Sequence, residues 1–171
     1  VQALHTDGLS VHLLSGDHPS SVRFVADSVG IQQVRADCRP QDKLSALREW
    51  QAQGRSVAMV GDGLNDGPVL AGAHVSFAFG RAVPLAQAQS DFVVVGDRLE
   101  RIVQAVWLAR RTLRTIRHNL VWAAPYNAIS VPLAWVGWMP AWLAGLGMAM
   151  SSLWVVLNSA RLAGGLPNLA C

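Results

Sequence analysis

Charge is missing from a long part of this 171-residue sequence: no Asp, Glu, Lys, Arg or His occurs from Asn119 to Ala160, and nearly all ionisable residues precede that stretch. The chain therefore reads as two physical objects, a soluble segment of about 1–118 and an apolar segment of about 119–161, enough for one compact domain and a small appendage. Cysteine is scarce. Cys38 and Cys171 lie far apart and neither belongs to a C-x-x-C pair, which excludes a zinc knuckle, a dithiol redox motif and a disulfide framework and suits a reducing cytoplasm. Lysine occurs once, at Lys43. The net charge of +3 comes from Arg110, Arg111, Arg114 and Arg117, gathered just before the apolar stretch rather than spread over a groove. That placement favours a membrane surface over nucleic acid as partner. No N-terminal signal peptide is visible, and Val1 opens directly on a helix-like VQALHTDGL, so the chain is expected to be a fragment that starts inside an element.

What the soluble part does contain is an alternation. Short apolar runs rich in β-branched residues recur at Val11–Leu14, Val57–Val60, Val75–Phe79 and Phe92–Val95, with a weaker one at Ile31–Val34. Helical patterns fall between them at about Pro19–Val29, Pro40–Gln53 and Asp66–Ala71, with Pro near each first turn and Gly30 and Gly54 closing the first two. This order predicts an α/β fold with a parallel, Rossmann-like sheet. In such sheets the ligand site lies beyond the carboxyl ends of the strands. Two loops meet that condition: Ser15-Gly16-Asp17, and Gly61-Asp62-Gly63-Leu64-Asn65-Asp66-Gly67-Pro68.

In the second loop Asp62 and Asp66 stand four apart among glycines, with Asn65 between them. Hard carboxylate oxygens close together suit Mg²⁺, which takes one or two carboxylates alongside phosphate oxygens. An Asp-Gly turn followed by a helix N-cap accounts for the same residues structurally. Lys43, beside Pro40 at a helix start, has the charge to neutralise a phosphoryl group, although a solvated surface lysine is the ordinary reading. Ser15 and the backbone amides near Gly16 can hold phosphate oxygens, or form a plain strand-ending turn.

Taken in order, these motifs resemble the haloacid-dehalogenase-type phosphorylation domain of P-type ATPases. The carriers are SGD at 15–17, P-x-x-K at 40–43 and MVGDGLNDGPVL at 59–70, of which the GDG-x-ND element is highly specific. The resemblance implies that Asp62 binds Mg²⁺, that Asp66 and Asn65 support the metal and phosphoryl site, that Lys43 contacts the phosphoryl group, and that Ser15, Gly16 and Asp17 position it and its attacking water. Family members usually have Ala where this chain has Gly67, and often where it has Val69. No D-K-T-G-T element, which carries the phosphorylated aspartate in that family, occurs here. The chain alone is therefore expected to be inert as an ATPase, needing a nucleophile from the missing N-terminal part of the same protein.

The uncharged run is about twice the roughly 20 residues of one spanning helix, so it reads as a two-helix transmembrane hairpin of about 119–137 and 141–160, turning at Gly137-Trp138-Met139-Pro140. Arginines at both ends put those ends in the cytoplasm. Trp122, Trp135, Trp138, Trp142 and Trp154 partly match interfacial belts. Tyr126-Asn127 in the first helix, and Met148, Ser151, Ser152 and Asn158 in the second, are the polar or soft groups of the hairpin. Each alone fits interhelical packing. As a set they resemble the last two helices of copper-transporting P-type ATPases, and the subgroup associated with cytochrome oxidase assembly most. That resemblance assigns Tyr126, Asn127, Met148 and Ser152 to an intramembrane metal path. A thioether suits Cu(I), and the carboxylate expected for Zn²⁺ or Cd²⁺ is absent from these helices.

The expected organisation is thus the C-terminal part of a phosphorylation domain at 1–97, a connecting basic helix at 98–118, two membrane helices within 119–161 and a cytoplasmic tail at 162–171. The expected whole is an ATP-driven Cu(I) transporter in a bacterial inner membrane, with Mg²⁺ as cofactor and ATP as substrate. Its expected partners are membrane lipid, Cu(I) or Ag(I), a copper chaperone and the rest of the same protein, but no nucleic acid. A membrane-anchored phosphatase of the same α/β superfamily, or a pump for another heavy metal, is the alternative.

Overall fold

The computed structural model describes residues 1–61, 66–79, 84–96 and 98–162, apart from the side chains of 85 and 86. Asp62, Asn65 and Cys171 lie outside the described residues. The chain divides into two compact units, Val1–Val103 and Gln104–Cys171.

In the first unit a short helix, α1 (Gln2–Thr6), precedes β1 (His12–Leu14), α2 (Pro19–Val29), β2 (Gln33–Arg35), α3 (Pro40–Ala52), β3 (Ala58–Gly61), α4 (Gly67–Gly72), β4 (Val75–Phe79), α5 (Pro84–Ala88) and β5 (Phe92–Val94). The strand and helix runs legible in the sequence are all present, their ends trimmed or shifted by a residue or two. Pro19 and Pro40 open α2 and α3, where a missing N–H costs nothing. In α3 the Asp42 carboxylate also accepts the Arg39 N–H at 2.8 Å, satisfying a donor at the helix entrance.

All strand pairings are parallel, but the described strands form two ladders rather than one sheet. β1 pairs with β2, His12 opposite Gln33, while β3, β4 and β5 pair in that order, Ala58 opposite Val75 and Phe77 opposite Phe92. The α3 crossover carries the chain past the first pair, and β3 pairs onward with β4 rather than back to β1. As the middle strand of its ladder β4 is covered on both faces, with Ser76, Phe77 and Ala78 all buried, so its apolar run hardly alternates. Its one polar side chain is fully satisfied: Ser76 Oγ donates to Asp91 at 2.9 Å and accepts the Asp91 N–H at 3.0 Å. Leu47 of α3, Val69 and Leu70 of α4, and Ile102 and Val103 from the first turn of the next helix are buried as well.

That next helix, α6 (Glu100–Trp135), is a single 36-residue element. It runs without a break through the boundary at 118/119 drawn from charge alone, because helical hydrogen bonding is indifferent to side-chain polarity. Its interior holds Pro125 and Pro132, each lacking the N–H that would bond four residues back. In the second unit α6 returns through a tight turn to α7 (Ala141–Ala160). Gly137 adopts φ +80, and the turn is closed by Gly137 N–H to Ala134 C=O at 3.1 Å and Trp138 N–H to Leu133 C=O at 3.0 Å, the two bonds of a glycine-terminated helix end. Among the described helices α7 is long and apolar enough to cross a membrane. The apolar part of α6, interrupted by Asn127 and two prolines, does not reach that threshold on its own.

The hairpin is held by polar groups at its open end. Asn158 donates to Asn119 Oδ1 at 2.7 Å, Asn119 donates to Ser159 Oγ at 3.1 Å, and Arg111 donates to the Arg161 carbonyl at 2.6 Å. Further along, Trp122 and Trp154 meet at 5.9 Å between ring centroids.

Candidate functional site

The carboxyl end of β3 is where the first unit gathers its chemistry. Lys43 stands in the first turns of α3 and Asp66 immediately before α4, and the helix packing brings them together: Lys43 Nζ donates to Asp66 Oδ1 at 2.7 Å. Their side chains retain only 15% and 11% of their exposure. An ion pair this withdrawn from water has desolvated both partners, so its groups are held in register by each other. The reading of Lys43 as a solvated surface residue is therefore corrected. So is the reading of Asp66 as a plain helix cap, because its side chain makes no capping bond to α4 and turns to the ammonium instead.

Gly61 makes room for that carboxylate. A Cβ at Gly61 would stand 3.1 Å from Asp66 Cβ and 3.2 Å from Asp66 Oδ2, so the absence of a side chain at the strand end seats the acid against the backbone. With Oδ1 engaged by Lys43, Oδ2 is a hard oxygen donor at the strand terminus. Gly67 is likewise under a neighbour, since a Cβ there would collide with the Gln89 amide, and this accounts for a residue smaller than the Ala usual in the family that the motif resembles.

The loop after β1 is tied within itself and to the segment that follows β2. Ser15 Oγ donates to Asp17 Oδ2 at 2.9 Å and accepts the Asp17 N–H at 3.3 Å, while the Ser15 N–H is bound to the Arg35 carbonyl at 3.1 Å. Of the three amides, only that of Gly16 has no bond to a described residue. Ser15 and Asp17 thus orient each other. The loop is pinned from outside by the Cys38 N–H to the Ser15 carbonyl at 2.9 Å and the Asp37 N–H to the Asp17 carbonyl at 3.0 Å. Asp37, with φ +51, is the one non-glycine residue of positive φ among the described residues; no sequence signal pointed to it.

No group of three or more His, Cys, Asp or Glu able to hold a metal occurs among the described residues. One seated carboxylate beside an ammonium fits a cation that takes few protein ligands and fills its shell with phosphate oxygens and water, the habit of Mg²⁺. A cavity of about 460 Å³ lies elsewhere, on the face of the β1–β2 pair lined by His12, Gln33, Arg35 and Trp50. It contains none of the residues expected to act on phosphate. There, burial, then Arg55 and Arg35, hold the His12 ring below its ordinary proton affinity.

In the second unit the four metal-path candidates separate. Tyr126 faces α7: a Cβ on Gly147 would collide with its hydroxyl and lie 3.2 Å from its ring. Asn127 and Ser152 are exposed, and Met148 keeps 72% of its surface. Ala144, Gly147, Ser151, Val155 and Asn158 are the half-buried stripe of α7, at the three- and four-residue spacing of one helix face. Met148 and Ser152, one position further on, share the neighbouring face. The structure thus brings Tyr126 into the hairpin contact and leaves Asn127, Met148 and Ser152 turned outward.

Fold and site together define a haloacid dehalogenase-like α/β domain, and residues 1–74 match the haloacid dehalogenase-like hydrolase family. The more particular likeness is to ion pumps. A copper-exporting P-type ATPase of Mycobacterium leprae is 44% identical over 162 residues, covering 95% of this chain and 21% of that protein. A cation-transporting P-type ATPase B of Mycobacterium bovis is 44% identical over 95% of this chain and 22% of its own length. Among solved structures, a zinc-transporting PIB-type ATPase in the E2.Pi state superposes with a TM-score of 0.86 at 30% identity, over 95% of this chain and 26% of that one. The chain is a homologue of the P-type ATPases, and it spans about a fifth of the length of the curated relatives it matches.

Proposed function

We propose that this chain supplies one half of the phosphoryl-transfer site and two membrane helices of an ATP-driven Cu(I) pump, with the first unit in the cytoplasm and the hairpin in a bacterial inner membrane. The observation that carries the reading is the withdrawn Lys43–Asp66 pair at the end of β3. Lys43 offers its ammonium to a phosphoryl oxygen, where positive charge stabilises the transition state. Asp66, with Asp62 and Asn65 of the same loop, would hold Mg²⁺. When bound, that ion neutralises charge on the phosphoryl oxygens. Ser15 and Asp17, fixed by each other, orient the water that later attacks. The nucleophilic aspartate is contributed from outside this sequence, which contains no D-K-T-G-T element.

For the cargo, Met148 gives a soft thioether, and Asn127 and Ser152 give neutral oxygens on faces of the hairpin turned away from its own contact stripe. These groups suit Cu(I) or Ag(I) passing between this hairpin and other helices of the pump. Likeness to a zinc-transporting relative favours Zn²⁺ as the second reading, but the hairpin has no carboxylate to neutralise a dication. The decisive variant is Met148→Leu in the full-length pump, which nearly conserves volume and removes the sulfur. Cu(I)-stimulated ATPase activity and intramembrane Cu(I) stoichiometry should fall while thermal stability holds. Normal Cu(I) binding and transport, or stimulation by Zn²⁺ in place of Cu(I), would refute the copper assignment.

A further inference from the structure

Asp37 is held where an L-residue rarely sits. Its φ of +51 lies in the left-handed region, which a residue bearing a Cβ enters at a cost that Asn and Asp bear most easily after glycine. The side chain is exposed, and its carboxylate bonds to no described residue. The carboxylate therefore does not hold the turn. A non-glycine residue kept in this conformation is over-determined by its surroundings, and such positions gather at working sites.

What surrounds Asp37 is the Ser15–Gly16–Asp17 loop. Regular pairing of β1 with β2 ends at Leu14 and Arg35, and the bond from the Ser15 N–H to the Arg35 carbonyl carries it one step further. Beyond that point the left-handed turn swings the chain across the loop, and two successive amides reach it. The Asp37 N–H bonds the Asp17 carbonyl at 3.0 Å and the Cys38 N–H bonds the Ser15 carbonyl at 2.9 Å. The carbonyls of the residues on either side of Gly16 are thus both engaged. A Cβ on Gly16 would stand 3.2 Å from the Cys38 carbonyl, so turn and loop are in contact. Every one of these ties is a main-chain group, and each depends on where the backbone of Asp37 points. Pro40 then opens α3, the helix that carries Lys43. One turn both sets the loop and leads into the helix of the ammonium.

We propose that Asp37 is a positioning residue for phosphoryl transfer: its left-handed backbone, and not its carboxylate, holds the Ser15–Gly16–Asp17 loop in the shape in which the Ser15 hydroxyl and the Gly16 N–H receive a phosphoryl oxygen. The inference rests on the role proposed above for that loop. A residue acting through its carboxylate would be lost with Gly or Asn at this position, whereas one acting through its backbone is lost only with side chains that resist positive φ.

The test compares variants in the full-length pump by the half-inhibition concentration of orthovanadate, which takes the shape of a phosphoryl group in transfer, and by the rate of phosphoenzyme turnover. A half-inhibition concentration belongs to the active molecules alone, so loss of folded protein does not move it. Asp37→Gly and Asp37→Asn should stay within about twofold of the parent. Asp37→Ala should raise the half-inhibition concentration about threefold and the β-branched Asp37→Val about tenfold, with turnover slowed in the same order. The Ala variant carries the comparison should the Val variant fail to accumulate. A Gly variant as impaired as the Ala and Val variants would overturn the inference, because the carboxylate would then be the acting group. Ala and Val variants that match the parent would overturn it as well. Ser15→Ala in the same assay separates the two levels. If it weakens inhibition while Asp37→Ala and Asp37→Val do not, Asp37 alone loses its role; if Ser15→Ala is inhibited like the parent, the loop does not meet the phosphoryl group, and the inference falls with that reading.

Discussion

Replacing Lys43 by Met removes the ammonium while keeping most of the aliphatic stem, and leaves Asp66, 8% exposed, without its partner. At a separation of 2.7 Å the gross attraction is about 6 kcal/mol for an effective dielectric near 20, offset by several kcal/mol of desolvation already spent on each ion. Breaking a fully buried pair from one side costs about 3–5 kcal/mol. Here both side chains keep some solvent, so the loss should be about 2–3 kcal/mol. Neutralising the orphan as well, with Asp66→Asn, should return part of it, giving a coupling of about 2 kcal/mol in a double-mutant cycle. The assay is amide hydrogen exchange in α3 and α4 of the whole chain, because those helices carry the two residues and a chain with a membrane unit has no single unfolding free energy. A loss of about 2–3 kcal/mol accelerates exchange there on the order of 30- to 150-fold. Acceleration below about threefold in Lys43→Met, or a double variant no better than the sum of the single ones, would mean that the pair does not organise this site.

Two further outcomes follow from the geometry. The unfolded His12 ring takes its proton near the ordinary value of 6.5, while in the folded chain burial, then Arg55 and Arg35, lower that affinity; around and just below pH 6.5 the unfolded state thus binds more protons, and the stability of the first unit should decline as pH falls through that value. NMR titration of the His12 ring checks this, and a folded-state midpoint at or above 6.5 would contradict it. Gly147→Ala would drive a methyl into the Tyr126 hydroxyl and should spread the hairpin; Tyr126 is the only tyrosine, so the single fluorotyrosine resonance of labelled protein reports it, and an unshifted resonance would refute the contact.

Much of this protein is legible in one dimension because the signals are local. Proline at helix entrances, glycine at helix ends and β-branched runs between them specify α2, α3 and the strands without reference to the rest of the chain, since capping and backbone restriction act within a few residues. Gly137 and the turn after it belong to the same class, as does the apolar length of α7. The Asp-rich loop after β3 and its resemblance to a phosphoryl site could also be read directly, although Asp62 and Asn65 lie outside the described residues.

What the sequence left open were choices between equally local alternatives, and only packing across long separations could make them. Whether Lys43 faces water or a carboxylate depends on α3 meeting α4 across 23 residues of chain, and nothing in P-x-x-K encodes the distance. The same packing turns Asp66 from a cap into half of an ion pair. Pairing decides that β1 and β2 form a ladder apart from β3 to β5, because parallel strands join through crossovers whose landing place is a three-dimensional matter. In the hairpin, residue types nominate Tyr126, Asn127, Met148 and Ser152 together, but the rotation of each helix about its axis separates them, setting a half-buried Tyr126 against Gly147 and turning the other three outward. Composition fixes which side chains have the chemistry to meet a phosphoryl group or a soft metal; the relative placement of helices and strands decides which of them stand together.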